Sequence, residues 1–547
     1  MTHQPITSAS VADVFLEGLT HVAALAVLAI AAGLALAIVL RTRGLRWTWA
    51  LTGLATTFVT RGMLGSLGDL ATLAATIGTI ASLRWHGADV RAGGDLAAEA
   101  ANREGPADVV RRVWRQRQTA RECWSEVGLL VGFDRRGQGA RIPFGTRTGS
   151  HTFVVGATGS GKTVTQSLIV ARAIEAGQGA IVIDPKGDRA LRSALVEAAR
   201  VANRPFLEWT PDGPAVYNPY GAGADTEISD KALAAERYTE PHYLRQAQRY
   251  LGHAIRAMAA AGVTVSPRSL MRYLDPLQLE VLARGLPEDQ GREVWTYLDS
   301  LSVRQHRDLA GTRDRLAVLA ESDFGRWLDP EGEAGPAFEL EAAVTTRAVV
   351  LFRLEADRRP LLAQMLGAAI VQDLLVTAAR HQDDPVPTVV MIDEFSALVI
   401  PGIARLFART RAAGMSLVLA TQELSDLHVG PGESILDQVL GNLGALIAHR
   451  QTVPQSAELV AAIAGSRGVW VRSERTLTGL TGAGAPTPSG TRTRGREPVI
   501  HPDDIKRLAN GVAGVIVPAG GTQPQIVQIL RAEAGGGEES PNEGGSL

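Results

Sequence analysis

The run Gly156-Ala157-Thr158-Gly159-Ser160-Gly161-Lys162-Thr163 has the spacing G-x-x-x-x-G-K-[ST], and it restricts the fold more than any other part of the chain. Glycines so placed let successive backbone N–H groups converge on phosphate oxygens, an arrangement that belongs where a β-strand hands over to a helix. The flanks supply both partners. "HTFVVG" reads as a short apolar strand, and "VTQSLIVARAIEAG" as a helix closed by Gly177. The expected fold is therefore α/β, with a parallel sheet whose carboxyl edge carries the phosphates. Lys162 would reach the β and γ oxygens of a bound triphosphate, and the Thr163 hydroxyl would ligate Mg²⁺.

Such a site also needs a carboxylate at the end of a neighbouring strand. "VVMIDEF" provides Asp393 for the magnesium shell, and beside it Glu394 to orient or deprotonate an attacking water. Four apolar residues followed by an acidic pair are common at the ends of buried strands, so the signal gains its force from the glycine loop. Thr421 and Gln422 end another strand, "MSLVLATQ". Gln422 reads either as a γ-phosphate sensor or as a polar strand cap. Arg405, Arg409 and Arg411 lie on the helix "IARLFARTRAAG", where each is a solvated side chain unless a second subunit brings a phosphate to it. "GAIVIDPKGD" forms one more strand, with Asp184, Lys186 and Asp188 just past its end. A charged surface turn is a serious reading of those three, but a rare lysine placed at the sheet's carboxyl edge, next to where phosphates sit, favours a role at the nucleotide or at a subunit interface. Only four lysines occur, Lys162, Lys186, Lys231 and Lys506, against a large excess of arginine. A lysine kept among so many arginines suggests a need for a compact ammonium that the planar guanidinium does not meet.

The 547 residues exceed one ordinary domain, and a formal charge of −2 leaves no global basic field, so any nucleic-acid contact must be local. The single cysteine, Cys123, rules out an internal disulfide. Val22 to Leu40 is uninterrupted by a polar side chain and long enough to span a bilayer. Met63 to Leu83 is a weaker second span, because Asp69 lies inside it. The arginines at 41, 43 and 46 belong on the cytoplasmic side by the positive-inside rule, which one span satisfies and two spans do not. The expected organisation is a membrane anchor at 1–90 with one or two transmembrane helices, a linker at 91–125, and the first part of a motor at 126–224. An all-helical insertion follows at 225–339, the second part of the motor at 340–532, and a disordered acidic tail at 533–547. Within the insertion "SPRSL" and "DPLQLEVLARG" each place a cap residue before a helix-starting proline. The Gly/Thr/Pro-rich stretch 476–495 reads as a mobile loop.

Taken together, "HTFVVGATGSGKT", "IVIDPKGD", "YNPY", "VVMIDEF", "ARTRAAGMSLVLATQ" and "REPVIHPDDIKRL" resemble the type IV secretion coupling proteins, the TraG/TraD-like conjugative DNA-transfer ATPases. The resemblance covers most of the chain. It implies a RecA-like P-loop NTPase motor with an inserted helical domain, held at the inner face of the cell membrane as a homo-hexamer with the motor in the cytoplasm. It further implies ATP and Mg²⁺ as cofactors, and DNA, relaxase or relaxosome proteins and secretion-channel components as partners. Position by position, Lys162 and Thr163 bind nucleotide and magnesium, Asp393 and Glu394 are the acidic pair, Gln422 is the sensor, and Arg411 matches an arginine supplied in trans. Two other functions stay open: a protein-export coupling ATPase that recognises protein cargo, and a chromosome-segregation pump for double-stranded DNA. The pump usually carries a DNA-orienting module, and none is apparent after Arg531.

Overall fold

A computed structural model describes residues 8–92, 105–120, 123–125, 128–145, 148–236, 240–332, 334–398, 403–427, 435–478, 484–518 and 522–531. The chain divides into two compact units, the first made of Met1–Thr119 with Arg136–Gln138 and Glu538–Leu547, and each is described by itself. The expected acidic tail lies outside the described residues.

The first unit comprises α1 (Ser8–Thr42), α2 (Thr48–Leu64), α3 (Ser66–Ala92) and α4 (Pro106–Ala120). In α1 the stretch Leu19–Thr42 is long and apolar enough to cross a membrane, as is Ser66–Asp89 in α3. The second span thus starts and ends later than the expected Met63 to Leu83. Gly65, at φ 54°, turns the backbone into a conformation that breaks the helix between Leu64 and Ser66. α1 and α3 run side by side in the same direction. Gly33 packs on Ala74 and Ile77, Gly78 on Gly33 and Leu36, and Arg41 pairs with Asp89 at 2.8 Å. A Cβ on Gly33 would stand 2.6 Å from the Ala74 carbonyl oxygen, so this close approach requires glycine. α2 runs back between their ends, and Arg61 near its last turn pairs with Asp69 in the first turn of α3. Large apolar side chains such as Val22, Val27, Leu28, Phe58, Val59 and Leu67 face outward, and the apolar N-terminal helix fits a membrane anchor. Where the sequence reads only as linker, the structure places α4.

The second unit is built on one large sheet. Its strands are β1 (Trp124–Ser125), β2 (Gly128–Asp134), β3 (Gly139–Ile142), β4 (Thr152–Val155), β5 (Gly179–Asp184), β6 (Phe206–Trp209), β9 (Val349–Arg353), β10 (Thr388–Ile392), β11 (Met415–Thr421), β12 (Ala445–Ala448), β15 (Val512–Ile516) and β16 (Gln525–Ile529). β7 (Val216–Tyr217) with β8 (Ala337–Phe338), and β13 (Ser466–Thr478) with β14 (Gly484–Pro498), form separate pairs. The run β12-β4-β11-β10-β5-β9-β6 is parallel, and β15, β16 and β2 extend it antiparallel beyond β12. Successive residues feed opposite faces: Ile181, Ile183, Val350, Phe352, Val390 and Ile392 enter one core, and Ala180, Val182, Val349, Leu351, Val389 and Met391 the other. A sheet covered on both faces needs near-continuous apolar strands, which explains why β10 and β11 are buried at every residue. This is the RecA-type P-loop architecture expected from the sequence.

The helices of this unit are α5 (Lys162–Glu175), α6 (Arg189–Val201), α7 (Asp225–Leu233), α8 (Pro241–Ala260), α9 (Pro267–Tyr273), α10 (Pro276–Arg284), α11 (Glu288–Asp299) and α12 (Val303–Ala320). After these come α13 (Leu340–Thr345), α14 (Pro360–Arg380), α15 (Phe395–Leu398), α16 (Ile403–Ala412), α17 (Ile435–Gly441), α18 (Pro454–Ala464) and α19 (Pro502–Lys506). α7 to α12 are the inserted helical domain, with a core of its own around Leu251, Leu270, Leu279 and Leu309. Ser266 and Asp275 cap α9 and α10 ahead of their prolines. The insertion is tied to the motor by Lys231, whose fully buried Nζ lies 2.5 Å from Asp373 on α14 and donates to the Ala222 carbonyl at 2.6 Å. The Tyr217 hydroxyl donates to the other Asp373 oxygen at 2.8 Å. α14 is itself apolar enough to cross a membrane, but it is a core helix, with Leu366, Ala369, Ile370 and Leu374 wholly buried.

One expectation is overturned. Residues 476–495, read as a mobile loop, are largely strand: β13 and β14 form an antiparallel ribbon paired from Ser466↔Pro498 outward. Valine and threonine alternate there with arginine and tryptophan, a period-2 pattern hidden by the glycines and prolines around it.

Candidate nucleotide site

The order β4-β11-β10-β5 brings the ends of four parallel strands side by side, and every candidate group but the arginines sits on one of those ends. β4 leads into the glycine loop, and α5 starts at Lys162. Gly161 takes φ 108°, a left-handed turn that lets the chain enter the helix without a side-chain cap. At Gly156 a Cβ would meet the Ser160 Oγ at 2.5 Å and His449 at 2.6 Å, so the loop closes only around glycine.

Lys162 is buried, and its Nζ donates to Glu394 Oε2 at 3.2 Å, with Asp393 Oδ1 3.9 Å away. Asp393 is fixed from two directions: its N–H donates to the Ile183 carbonyl at 3.0 Å, and Gln166 Nε2 donates to Oδ1 at 3.0 Å. Glu394 is held with φ 40°, a left-handed conformation rare for a side-chain-bearing residue and frequent at functional sites. Its Oε2 accepts from Lys186 at 2.7 Å and from Gln422 Nε2 at 3.2 Å as well as from Lys162. Burial alone would raise the Glu394 pKa. The Lys186 hydrogen bond, the charges of Lys162 and Lys186, and the Gln422 contact outweigh burial and hold it below the ordinary glutamate value. Gln422 Oε1 in turn accepts from the Thr158 hydroxyl at 3.2 Å, so the amide bridges the glycine loop and the acidic pair.

Lys186 reaches Glu394 because Asp184 shapes the turn beneath it. The buried Asp184 carboxylate accepts from the backbone N–H groups of Lys186, Gly187 and Asp188 at 2.9, 2.9 and 2.6 Å. Burial raises its pKa, and the three backbone donors oppose that rise. Asp188 is a helix cap, accepting from Ala190 and Leu191 at the start of α6. Sequence reasoning flagged these three residues without separating their parts. It missed Gln166 and His449. The His449 Nε2 lies 2.8 Å from the Thr165 hydroxyl under the loop, and burial, assisted by the Lys162 charge, pushes its pKa down to about 4. A glutamine and a threonine in the first turns of α5, on its buried side, were the only local signs of that contact.

Arg411 is not part of this cluster. Its carbonyl accepts from Gly149 at 3.1 Å, before β4 begins, whereas Lys162 lies past the other end of β4. Arg405 and Arg409 are exposed on the same helix.

The residues fit a magnesium-bound triphosphate. The Ser160 Oγ is buried without a hydrogen-bond partner among the described residues, the loop is a cradle that side chains would fill, and an ammonium and a carboxylate stand at the positions for phosphate and magnesium.

Two family models match the chain: the TraM recognition site of TraD and TraG over residues 387–510, and the central domain of the helicase HerA over residues 127–200. No curated protein sequence matches. Among solved structures, the bacterial conjugative coupling protein TrwB lacking its first seventy residues is similar in its trigonal form with sulphate, at TM-score 0.54 and 20% identity over 76% of this chain and 91% of that one. Its unbound monoclinic form gives TM-score 0.53 at 18% identity with the same coverage. The TrwB complex with ADP and Mg²⁺ gives 0.50 at 17% identity, covering 72% of this chain and 91% of that one. The resemblance to the type IV coupling proteins drawn from the motifs is borne out, and the fold is that of TrwB.

Proposed function

We propose that this chain is a membrane-anchored ATPase that drives DNA toward a type IV secretion channel. The observation that carries this reading is the convergence of Lys162, Asp393, Glu394 and Gln422 behind a glycine loop on a TrwB-like motor. Bound Mg-ATP supplies a γ-phosphoryl group open to attack by water. Residues 156–163 hold the phosphates, Thr163 and Asp393 the magnesium, and Glu394 takes the proton from water once Lys162 has left it for the phosphates. Gln422 links the loop to Glu394, and so couples the state of the phosphates to the carboxylate. Lys186 keeps Glu394 in place as Lys162 departs. Arg411, remote from its own site, acts on a neighbour's site in a homo-hexamer. Residues 387–510 offer a surface to a relaxosome protein, in keeping with the family model they match.

The boundaries at 1–90, 126–224, 225–339 and 340–532 follow the same plan of anchor, split motor and insertion. In the anchor, the parallel packing of α1 and α3 supports a three-span reading that avoids the conflict over charge. If both cross the bilayer in one direction, α2 crosses back, and three spans leave Arg41, Arg43, Arg46 and the chain beyond α3 on the cytoplasmic side. α2 has seventeen residues, near the lower limit for a span. The hydroxyls of Thr52, Thr56, Thr57 and Thr60 donate back to carbonyls of the preceding turn, which satisfies them without water.

The test is ATP hydrolysis by the full chain in lipid nanodiscs, with no DNA, single-stranded DNA or duplex. Hydrolysis stimulated by DNA supports the reading. Hydrolysis indifferent to DNA but stimulated by a relaxosome protein alone would favour protein export.

A further inference from the structure

The β13–β14 ribbon plays no part in the nucleotide chemistry. From Ser466 to Pro498 its sequence holds six arginines and two glutamates, a net charge of +4 in a chain whose total is −2. Strand alternation sorts them. The pairs Gly468↔Arg496, Trp470↔Arg494, Arg472↔Arg492 and Glu474↔Gly490 share one face, and Arg467↔Glu497, Val469↔Gly495 and Val471↔Thr493 the other. On the second face Arg467 is neutralised by Glu497 at 2.6 Å. The first face carries four arginines with one acid and a tryptophan that is 53% exposed. The Arg494 guanidinium lies over the Trp470 ring, 5.1 Å from its centroid, and Arg496 is braced by the Ser466 hydroxyl and carbonyl at 2.9 and 3.0 Å.

Arg472 and Arg492 are register partners further along the same two strands. A two-stranded ribbon is one of the few elements that fits a nucleic-acid groove. A basic strip with an exposed aromatic ring also suits a phosphate backbone with its bases stacked alongside.

We propose that this face of the ribbon grips the phosphate backbone of DNA, through Arg494 and Arg496 with Trp470 beside them. The proposal rests on the reading of the chain as a DNA motor and assigns the contact to a segment outside the nucleotide site.

The test replaces Arg494 and Arg496 together by serine in the full chain in neutral-lipid nanodiscs. Binding of a labelled duplex and of the matching single strand is followed by fluorescence anisotropy across a salt series. Each phosphate contact contributes about −0.9 to the slope of log affinity against log salt on duplex DNA, so losing two should make the slope shallower by roughly 1.8. Hydrolysis without DNA should be unchanged, and the same two positions replaced by lysine should restore the slope. If the wild type binds DNA and the serine variant keeps its affinity and slope, the ribbon proposal is overturned and the motor reading stands. If the wild type binds no DNA, both fall. If the serine variant loses binding to anionic vesicles and not to DNA, the ribbon is a membrane contact and the proposal is wrong.

Discussion

Glu394→Gln should separate the two tasks of Glu394, holding Lys162 at rest and activating water. In the structure Oε2 accepts from Lys186 at 2.7 Å and from Lys162 at 3.2 Å. A nucleotide must take Lys162 from this carboxylate before the ammonium can meet a phosphate. A hydrogen bond to a charged group contributes about 1.5–3 kcal/mol. The amide oxygen of glutamine still accepts a weaker bond, and Asp393 remains 3.9 Å from Nζ, so about half of that range is released. Some 1.4 kcal/mol corresponds to roughly tenfold tighter ATP binding. The same change removes the base, and turnover should fall by about 10²–10⁴. Both residue types tolerate the backbone at φ 40° equally, so the two effects should appear without unfolding. Titration with a fluorescent non-hydrolysable ATP analogue gives the affinity, and phosphate release gives the turnover. Tenfold weaker binding, or turnover within twofold of wild type, would refute the assignment.

Lys162→Ala should abolish hydrolysis, because the γ-phosphoryl loses its ammonium partner; phosphate release at more than half the wild-type rate would contradict this. Arg411→Ala and Arg411→Lys should both stay nearly inactive with ATP binding intact, lysine lacking the bidentate fork. Mixing Arg411→Ala with Lys162→Ala subunits should then restore part of the activity, whereas mixed rings that form and remain inactive would move the role to another arginine. Thermal stability should depend on two buried histidines. Burial is the main cause that pushes His151 and His449 from 6.5 down to about 4, helped by the charges of Arg411 and Lys162 respectively. The folded pKa lies below the unfolded one, so neutral histidine favours the fold above pH 6.5, and that contribution is lost as pH falls toward 4. At 1.36 kcal/mol per pH unit each histidine contributes about 3 kcal/mol, and a melting temperature that stays flat from pH 7 to pH 4.5 would count against it.

What could be read in advance was what neighbours in sequence decide. The glycine loop, the strands before it and before Asp393, and the proline-started helices α9 and α10 each show their pattern within a dozen residues. The rest depends on strand order. Lys186 meets Glu394 across 208 positions, Gln166 meets Asp393 across 227, and Thr165 meets His449 across 284, and none of these pairs has a local signature. The anchor's topology stays open in the sequence for a similar reason: charge along the chain poses a choice between one span and two, and the parallel packing of α1 on α3 that bears on it joins residues some forty positions apart. The ribbon was missed because glycine and proline were weighed above a two-residue alternation.

Movement of DNA is the most direct test of the central claim. A triplex-forming strand placed on a long duplex is displaced by any motor that travels along it, whatever its route of entry. The full chain with Mg-ATP should displace the strand, and with Glu394→Gln or a non-hydrolysable analogue it should not. Vigorous, DNA-stimulated hydrolysis that leaves the triplex in place on duplex DNA and leaves a protein block in place on single-stranded DNA would contradict a translocating motor.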